Sequence, residues 1–262
     1  MAYREWEGWA PYVPVADRIE NGARHAARLR KKGRALQPVA PSGRGRVLAT
    51  TFWGRAWCDN LAAYATLANR LDRGRSYLRN RLVIDLQIGP GTVTSLVSGS
   101  ELYEISVGIK PMPRPRWQAV VKACAGKIDS VVELLAGRFD TSVMAHVCRQ
   151  GTGLFPSATE ITYQCTCPDG WGGGWLCKHV AATLYGVGVR LDEDPEMLFR
   201  LRQVAHADLL TRATAALAGA TPPKRGARRA IADERLAAVF GIELETGPTP
   251  RARRPRRPSR SR

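Results

Sequence analysis

Apolar residues alternate with polar ones at Leu82, Ile84, Leu86 and Ile88, and again at Tyr103, Ile105, Val107 and Ile109. A period of two predicts strands with one buried face, and a weaker strand is predicted between them over 93–97. Gly89-Pro90-Gly91 and Gly99-Ser100 supply short turns, so the three strands should form an antiparallel meander. Helical spacing flanks them. Trp57, Leu61, Tyr64, Ala68 and Leu71 share one helix face upstream. Downstream, Trp117, Val120, Val121 and Cys124, then Ile128, Val131, Val132 and Leu135, predict a helix pair split near Gly126 that can cover the meander. A short helix should follow Asp140, whose carboxylate suits an N-cap. Val180, Leu184 and Val187 predict the docking stripe of another helix, and a Leu-, Arg- and Ala-rich helical region runs on to about 220.

Charge divides this pattern. Residues 1–81 carry 16 Lys/Arg against 6 acids, residues 82–220 carry 12 against 13, and residues 221–262 carry 12 against 4. A nearly neutral middle therefore lies between two strongly basic flanks, an imbalance that fits a polyanionic partner or simple solubility. In the first flank, Arg28, Arg30, Lys31, Lys32 and Arg34 crowd a predicted solvated helix, and Arg73 and Arg75 follow later. In the last, residues 247–262 hold seven arginines, among them Arg253, Arg254, Arg256 and Arg257, and no acid. Such a tail cannot build a core and is expected to be disordered. The segments read as a basic N-terminal region (1–49), an α+β domain (50–150), a cysteine-rich unit with following helices (151–220), a linker and short helix (221–246) and the tail (247–262).

The hydrophobic fraction of 44% is that of an ordinary globular chain. No apolar run approaches the roughly 18 residues of a membrane span, and the first residues lack the apolar centre of a signal peptide. A cytoplasmic location is expected, with association with the nucleoid open. Thiols there stay reduced, so six cysteines point to metal ligation or core packing before disulfides.

The chemistry concentrates in Tyr163-Gln-Cys-Thr-Cys-Pro-Asp-Gly-Trp-Gly-Gly-Gly-Trp-Leu-Cys-Lys-His179. Cys165 and Cys167 lie on one side of an extended strand because side chains alternate. Pro168-Asp169-Gly170 turns the chain, and nine residues separate Cys167 from Cys177. A spacing of two cannot share a helix face, so Cys177 should precede a helix and His179 should stand in its first turn. Three thiolates and one imidazole are the tetrahedral set that structural zinc prefers, and they leave no open position for catalysis. Lys178 is placed to offset the residual negative charge.

Cys165-x-Cys167 followed by Cys177-x-His179, with Cys-Pro-Asp and Cys-Lys-His-Val-Ala-Ala around the ligands, resembles the SWIM zinc finger, a β-hairpin packed on a helix. Phe52-Trp-Gly-Arg-Ala-Trp57, Arg73-Gly-Arg-Ser-Tyr77 and Asp194-Pro-Glu-Met-Leu-Phe199 are similar to the stand-alone bacterial SWIM proteins, so the resemblance spans about 50–244. It implies one structural zinc ion, DNA or protein binding, and association with Swi/Snf-type helicases. The glycine-rich Trp171–Trp175 loop departs from the tighter loop of the family. The whole is expected to be α+β: a three-stranded antiparallel meander with packed helices, then a zinc-bound β-hairpin-helix and a helical C-terminal region.

Alternatives stand beside each assignment. Cys58, Cys124 and Cys148 read as buried hydrophobes, and His146 with Cys148 lacks a second ligand pair. His25 and His206 read as surface residues. The basic arms are either solvating or in contact with phosphates; without aromatics, any such contact would be electrostatic and sequence-tolerant. Trp171 and Trp175 could pack on the zinc loop or stack on a partner. No phosphate-binding Gly-x-x-x-x-Gly-Lys-Ser/Thr loop, His-Glu-x-x-His pair or Gly-x-Ser-x-Gly elbow occurs, which argues against an enzyme and a small-molecule substrate. Two readings remain: a zinc-organised nucleic-acid binder, and a protein adaptor for a Swi/Snf-type helicase. The stretch 151–200, with three Lys/Arg and six acids, favours protein contact for the finger itself.

Overall fold

The computed structural model describes residues 12–62, 68–124, 141–149, 151–170, 176–209 and 211. Tyr64, the predicted helix over 126–135, Asp140, Trp171–Trp175, the linker at 221–246 and the arginine tail lie outside the described residues. Residues 1–219 form one unit, and 220–262 a second that lies wholly outside them.

The alternation marks real strands: β1 (Val83–Gly89), β2 (Thr92–Ser98) and β3 (Leu102–Ile109) pair antiparallel in chain order. β4 (Ile161–Cys165) adds to the free side of β3, with Ile105 opposite Cys165 and Ile109 opposite Ile161, giving one sheet in the order β1-β2-β3-β4. The finger's strand is thus an extension of the meander. Alternation misleads at one position. The register of β1 against β2 shifts between Val83 and Asp85, so Ile84 leaves the face of Leu82 and Leu86 and joins Ala26 and Leu96 in a second small cluster. A bulge places one extra residue in a strand and reverses the side-chain phase beyond it.

That second cluster is what α1 (Val15–Lys31) packs on. Gly22 sits so close to Ser98 and Ile84 that a Cβ there would lie 3.1 Å from Ser98 Cβ. The chain after α1 then runs beside β1: Val39 N–H donates to Val83 O (3.2 Å) and Leu86 N–H to Gln37 O (2.9 Å). This shields the edge of β1.

Among the described residues the opposite face, which the sequence pattern assigns to a helix pair, is covered by α6 (Lys178–Glu193). α4 (Arg114–Cys124), the described member of that pair, packs instead on α5 (Thr141–Val147) and, through Trp117, on Phe199 of α7 (Glu196–Leu201). α6 also differs from a helix with one apolar stripe. Every residue from His179 to Val189 is buried. Small residues make this possible by letting neighbouring backbones close in. A Cβ on Gly74 of α3 (Ala68–Arg79) would lie 2.5 Å from Ala181 Cβ, one on Gly186 2.7 Å from Leu86 Cδ1, and one on Gly54 of α2 (Phe52–Ala62) 2.5 Å from Gly188 O. α2, α3 and the sheet thus surround one central helix, whose N-terminal end carries two of the four proposed ligands, Cys177 and His179.

Polar clamps fix the ends of this arrangement. Trp57 Nε1 donates to Leu184 O at 2.8 Å from a fully buried ring. At the far end of α6, the Asp192 carboxylate accepts from the amides of Thr50 (2.6 Å) and Thr51 (3.1 Å), from both threonine hydroxyls and from Ser42 Oγ. It thereby ties α6 to the N-terminus of α2.

Candidate metal centre

Cys165 closes β4, and its neighbour Thr166 is pinned to β3 on both sides: its amide donates to Glu104 O (3.1 Å) and its hydroxyl accepts from Glu104 N–H (3.0 Å). With Thr166 turned outward, Cys165 and Cys167 both point inward and are 7% and 1% exposed. A 3-10 turn over Pro168–Gly170 follows. Cys177 is the N-cap of α6, with extended backbone (φ −85°, ψ 169°), and its sulfur accepts from Val180 N–H at 3.5 Å. His179 follows in the first turn and is 1% exposed.

The four side chains converge: their ligand atoms all lie within 4.8 Å of one another. His179 Nδ1 faces the sulfurs, 3.8 Å from Cys165 Sγ and 3.9 Å from Cys177 Sγ. Ligands on a tetrahedral zinc, with Zn–S near ~2.3 Å, stand roughly 3.8 Å apart, so this set fits one zinc ion. Protonation is biased the same way. Hydrogen bonds from the Cys165 and Cys167 thiols hold Cys177 far below the ordinary thiol range, helped by the Val180 amide. The positive end of α6 acts in the same sense. Cys165, bonded to Cys167 and Cys177, is correspondingly raised. Burial pushes His179 down against the opposing pull of Cys177, which keeps the imidazole neutral and able to ligate.

Zinc here would be held by Cys165, Cys167, Cys177 and His179, and it would act by tying β4 and the Pro168–Gly170 turn to α6. With four buried protein ligands it has no coordination position for water. Lys178, expected to offset the thiolates, is engaged otherwise: its Nζ lies 3.6 Å from Asp169 Oδ2, which also pairs with Arg70 at 3.0 Å. Asp169 thereby fastens the turn after Cys167 to both α3 and α6.

The SWIM zinc finger family matches residues 159–186, the segment that carries all four ligands. The chain thus carries a SWIM zinc finger. Rv2102, an uncharacterized protein of Mycobacterium tuberculosis, is 36% identical to it over 187 residues, covering 70% of this chain and 66% of that protein, just under two thirds of its length. No solved structure matches the chain. The SWIM finger is therefore known here by its ligands and its setting: strand β4 in the main sheet, helix α6 in the main core.

The other predicted residues are placed as follows. Arg28, Arg30, Lys31 and Lys32 are exposed at the C-terminal end of α1. Arg34 is exposed but pairs with the buried Asp85 at 3.2 Å. Arg73 is exposed on α3, whereas Arg75 pairs with Asp72 (3.3 Å) and lies 5.1 Å over the Tyr185 ring. Arg253, Arg254, Arg256 and Arg257 lie outside the described residues. Cys124 and Cys148 are buried in the core and Cys58 is half-buried, with burial pushing its thiol up to about 12. His25, His146 and His206 are half-buried, none beside the zinc site.

Sequence reasoning missed the surroundings of His179. Tyr103 stacks on its imidazole with centroids 4.3 Å apart and planes 29° apart, and Tyr77 meets it edge-on at 5.1 Å. Tyr103 had a signal only as an inward-facing strand residue, and Tyr77 of α3 only as the end of the Arg73-Gly-Arg-Ser-Tyr77 stretch.

Among the described residues, no helix is long and apolar enough to cross a membrane.

Proposed function

We propose that this protein is a non-enzymatic binding module in which zinc braces a rigid α+β body and exposed basic residues hold nucleic-acid phosphates. The observation that carries the first half is the closed Cys165–Cys167–Cys177–His179 set, all buried, which gives zinc a structural task. The second half is supported by Arg28, Arg30, Lys31 and Lys32, exposed together where α1 ends and unengaged by any acid among the described residues. Affinity of this kind comes from release of counterions and falls with salt. DNA and RNA would both satisfy it, and a cytoplasmic setting beside the nucleoid accords with it.

A second reading is favoured by the sheet. On the side that α1 leaves open, Thr92, Thr94, Ser106, Thr162, Gln164 and Thr166 are exposed and line two adjoining hollows of about 510 and 630 Å³. Hydroxyl and amide groups, with one base and one acid (Arg34 and Glu104) beside the first hollow, suit a protein surface better than a phosphate chain. In this reading the protein is an adaptor, for instance to a Swi/Snf-type helicase as the family resemblance implies.

The test is a titration of duplex and single-stranded DNA at several salt concentrations, for the wild type and for Arg28→Gln/Arg30→Gln/Lys31→Gln/Lys32→Gln. The nucleic-acid reading expects the variant to bind more weakly, with the salt slope on duplex reduced by about 0.9 for each phosphate no longer neutralised. A wild-type protein that binds no nucleic acid at low salt would leave the adaptor reading standing alone.

A further inference from the structure

Zinc-ligating histidines usually donate their second ring N–H to a carboxylate or carbonyl, which fixes the ring and tunes the ligand. His179 departs from that pattern. Its Nδ1 faces the sulfurs, while Nε2 is buried and has no hydrogen-bond partner among the described residues. What surrounds the ring is aromatic: Tyr103 from β3 stacked on one face and Tyr77 from α3 edge-on. Gly99, in the β2–β3 turn, lies against Nε2 and the Tyr103 ring. A Cβ there would come within 3.1 Å of Nε2 and 2.6 Å of Tyr103 Cε2, so the turn is glycine where the stack needs the room.

Taking the zinc site as given, we infer that Tyr103 and Tyr77 are the positioning residues of the metal centre, their ring contacts standing where the described residues offer Nε2 no acceptor. The stack fixes the plane of the imidazole, and the edge of Tyr77 stops it from rotating about the Cα–Cβ bond. Aromatic pairs of this geometry contribute beyond the area they bury. The arrangement reaches further than the finger. Arg18 of α1 donates to Tyr77 Oη at 3.1 Å and places its guanidinium 5.5 Å over the same ring. The ligand is thereby set by three elements, β3, α3 and α1, that come from outside the matched finger segment 159–186. A peptide of the finger alone would hold the four ligands without the orientation of one of them.

The experiment uses the full chain and reads the metal. Zinc affinity is measured by competition with a chromophoric chelator, and ligand geometry by the visible absorption of the Co²⁺-substituted protein. Tyr103→Leu and Gly99→Ala should each weaken zinc binding by roughly tenfold or more, the range found for groups that orient metal ligands, and should alter the Co²⁺ spectrum. Tyr103→Phe, which keeps the stacking ring, should match the wild type in both readouts. Leu86→Ala, a core truncation away from the imidazole, should lower thermal stability while leaving affinity and spectrum unchanged. The inference is overturned if Tyr103→Leu binds zinc as tightly as the wild type, or if Leu86→Ala loses as much affinity. Should Tyr103→Leu fail to fold, Gly99→Ala decides: it retains every ring, and wild-type affinity and spectrum in that variant would equally overturn the inference.

Discussion

Removing the carboxylate of Glu160 tests how the finger is anchored to the rest of the molecule. Arg202 is fully buried, with a side chain 0% exposed, and it has two acceptors: Glu160 Oε1 at 2.9 Å and Lys110 O at 2.7 Å. Glu160 also takes Arg116 at 3.2 Å and, in a capping box just ahead of β4, the Ser157 amide at 2.8 Å. Its own burial would raise its pKa, but the hydrogen bonds from Arg202 and the Ser157 amide, with both guanidinium charges, outweigh this and hold it below the ordinary carboxylate value. Replacing one partner of a buried ion pair leaves the other charge uncompensated and costs on the order of 3–5 kcal/mol. Glu160 retains 13% exposure, and water can reach the site from the Arg116 side, so the lower end applies. We expect Glu160→Gln to lose about 3 kcal/mol, or roughly 6–12 °C in Tm for a domain of this size. Chemical denaturation of the zinc-saturated protein measures it, in a cycle with Arg202→Met. The double variant should be more stable than Glu160→Gln alone, because the stranded cation is gone. A carboxyl depressed on folding contributes stability above its unfolded pKa of ~4.3 and loses it as pH falls through the folded value, so wild type and Glu160→Gln should converge in acid. A Glu160→Gln cost below about 0.5 kcal/mol, or strict additivity in the cycle, would refute the argument.

Three further predictions address the core and the site. Gly74→Ala forces a methyl to within 2.5 Å of Ala181 Cβ, so α3 and α6 must part, and urea unfolding should show a loss of about 1–3 kcal/mol. Asp192 is raised by burial but lowered further by Ser42, Thr51 and the Thr50 and Thr51 amides, so its contribution lies above the unfolded value of ~3.9 and fades below it. The stability gap between wild type and Asp192→Asn, followed by thermal melts from pH 7 down to 3, should therefore shrink with acid. Cys177→Ser removes both a ligand and the sulfur that caps α6; chelator titration should show zinc lost, and amide exchange should show 161–170 and the first turn of α6 opened.

The sequence announced the site better than its setting. Cys165, Cys167, Cys177 and His179 were legible because ligand spacing is a local property: alternation in a strand and the phase of a first helical turn place four atoms with little tertiary help. The meander was legible for the same reason. What escaped is non-local. The bulge at Ile84 breaks a pattern that looks continuous in the chain, since alternation cannot reveal where a partner strand loses register. α6 looked like a helix with one apolar stripe because glycine and alanine carry little hydrophobic signal, although Gly186, Gly188 and Ala181 let neighbours close around it on every side. The Asp192 clamp joins residues 141 to 150 positions apart, and the tyrosines at His179 come from β3 and α3, so neither leaves a local mark. The charge of the stretch 151–200 misled: Asp169 is not a free acid but is held between Arg70 and Lys178, and Glu160 is held between Arg116 and Arg202.

The central claim is that one structural zinc ion is held by three sulfurs and one imidazole. Elemental mass spectrometry of the purified full chain, taken with the protein concentration, tests it most directly. One zinc per chain, retained through dialysis at neutral pH and released by acid, is the predicted result; a metal-free protein that melts as a folded domain and takes up no added zinc would contradict it.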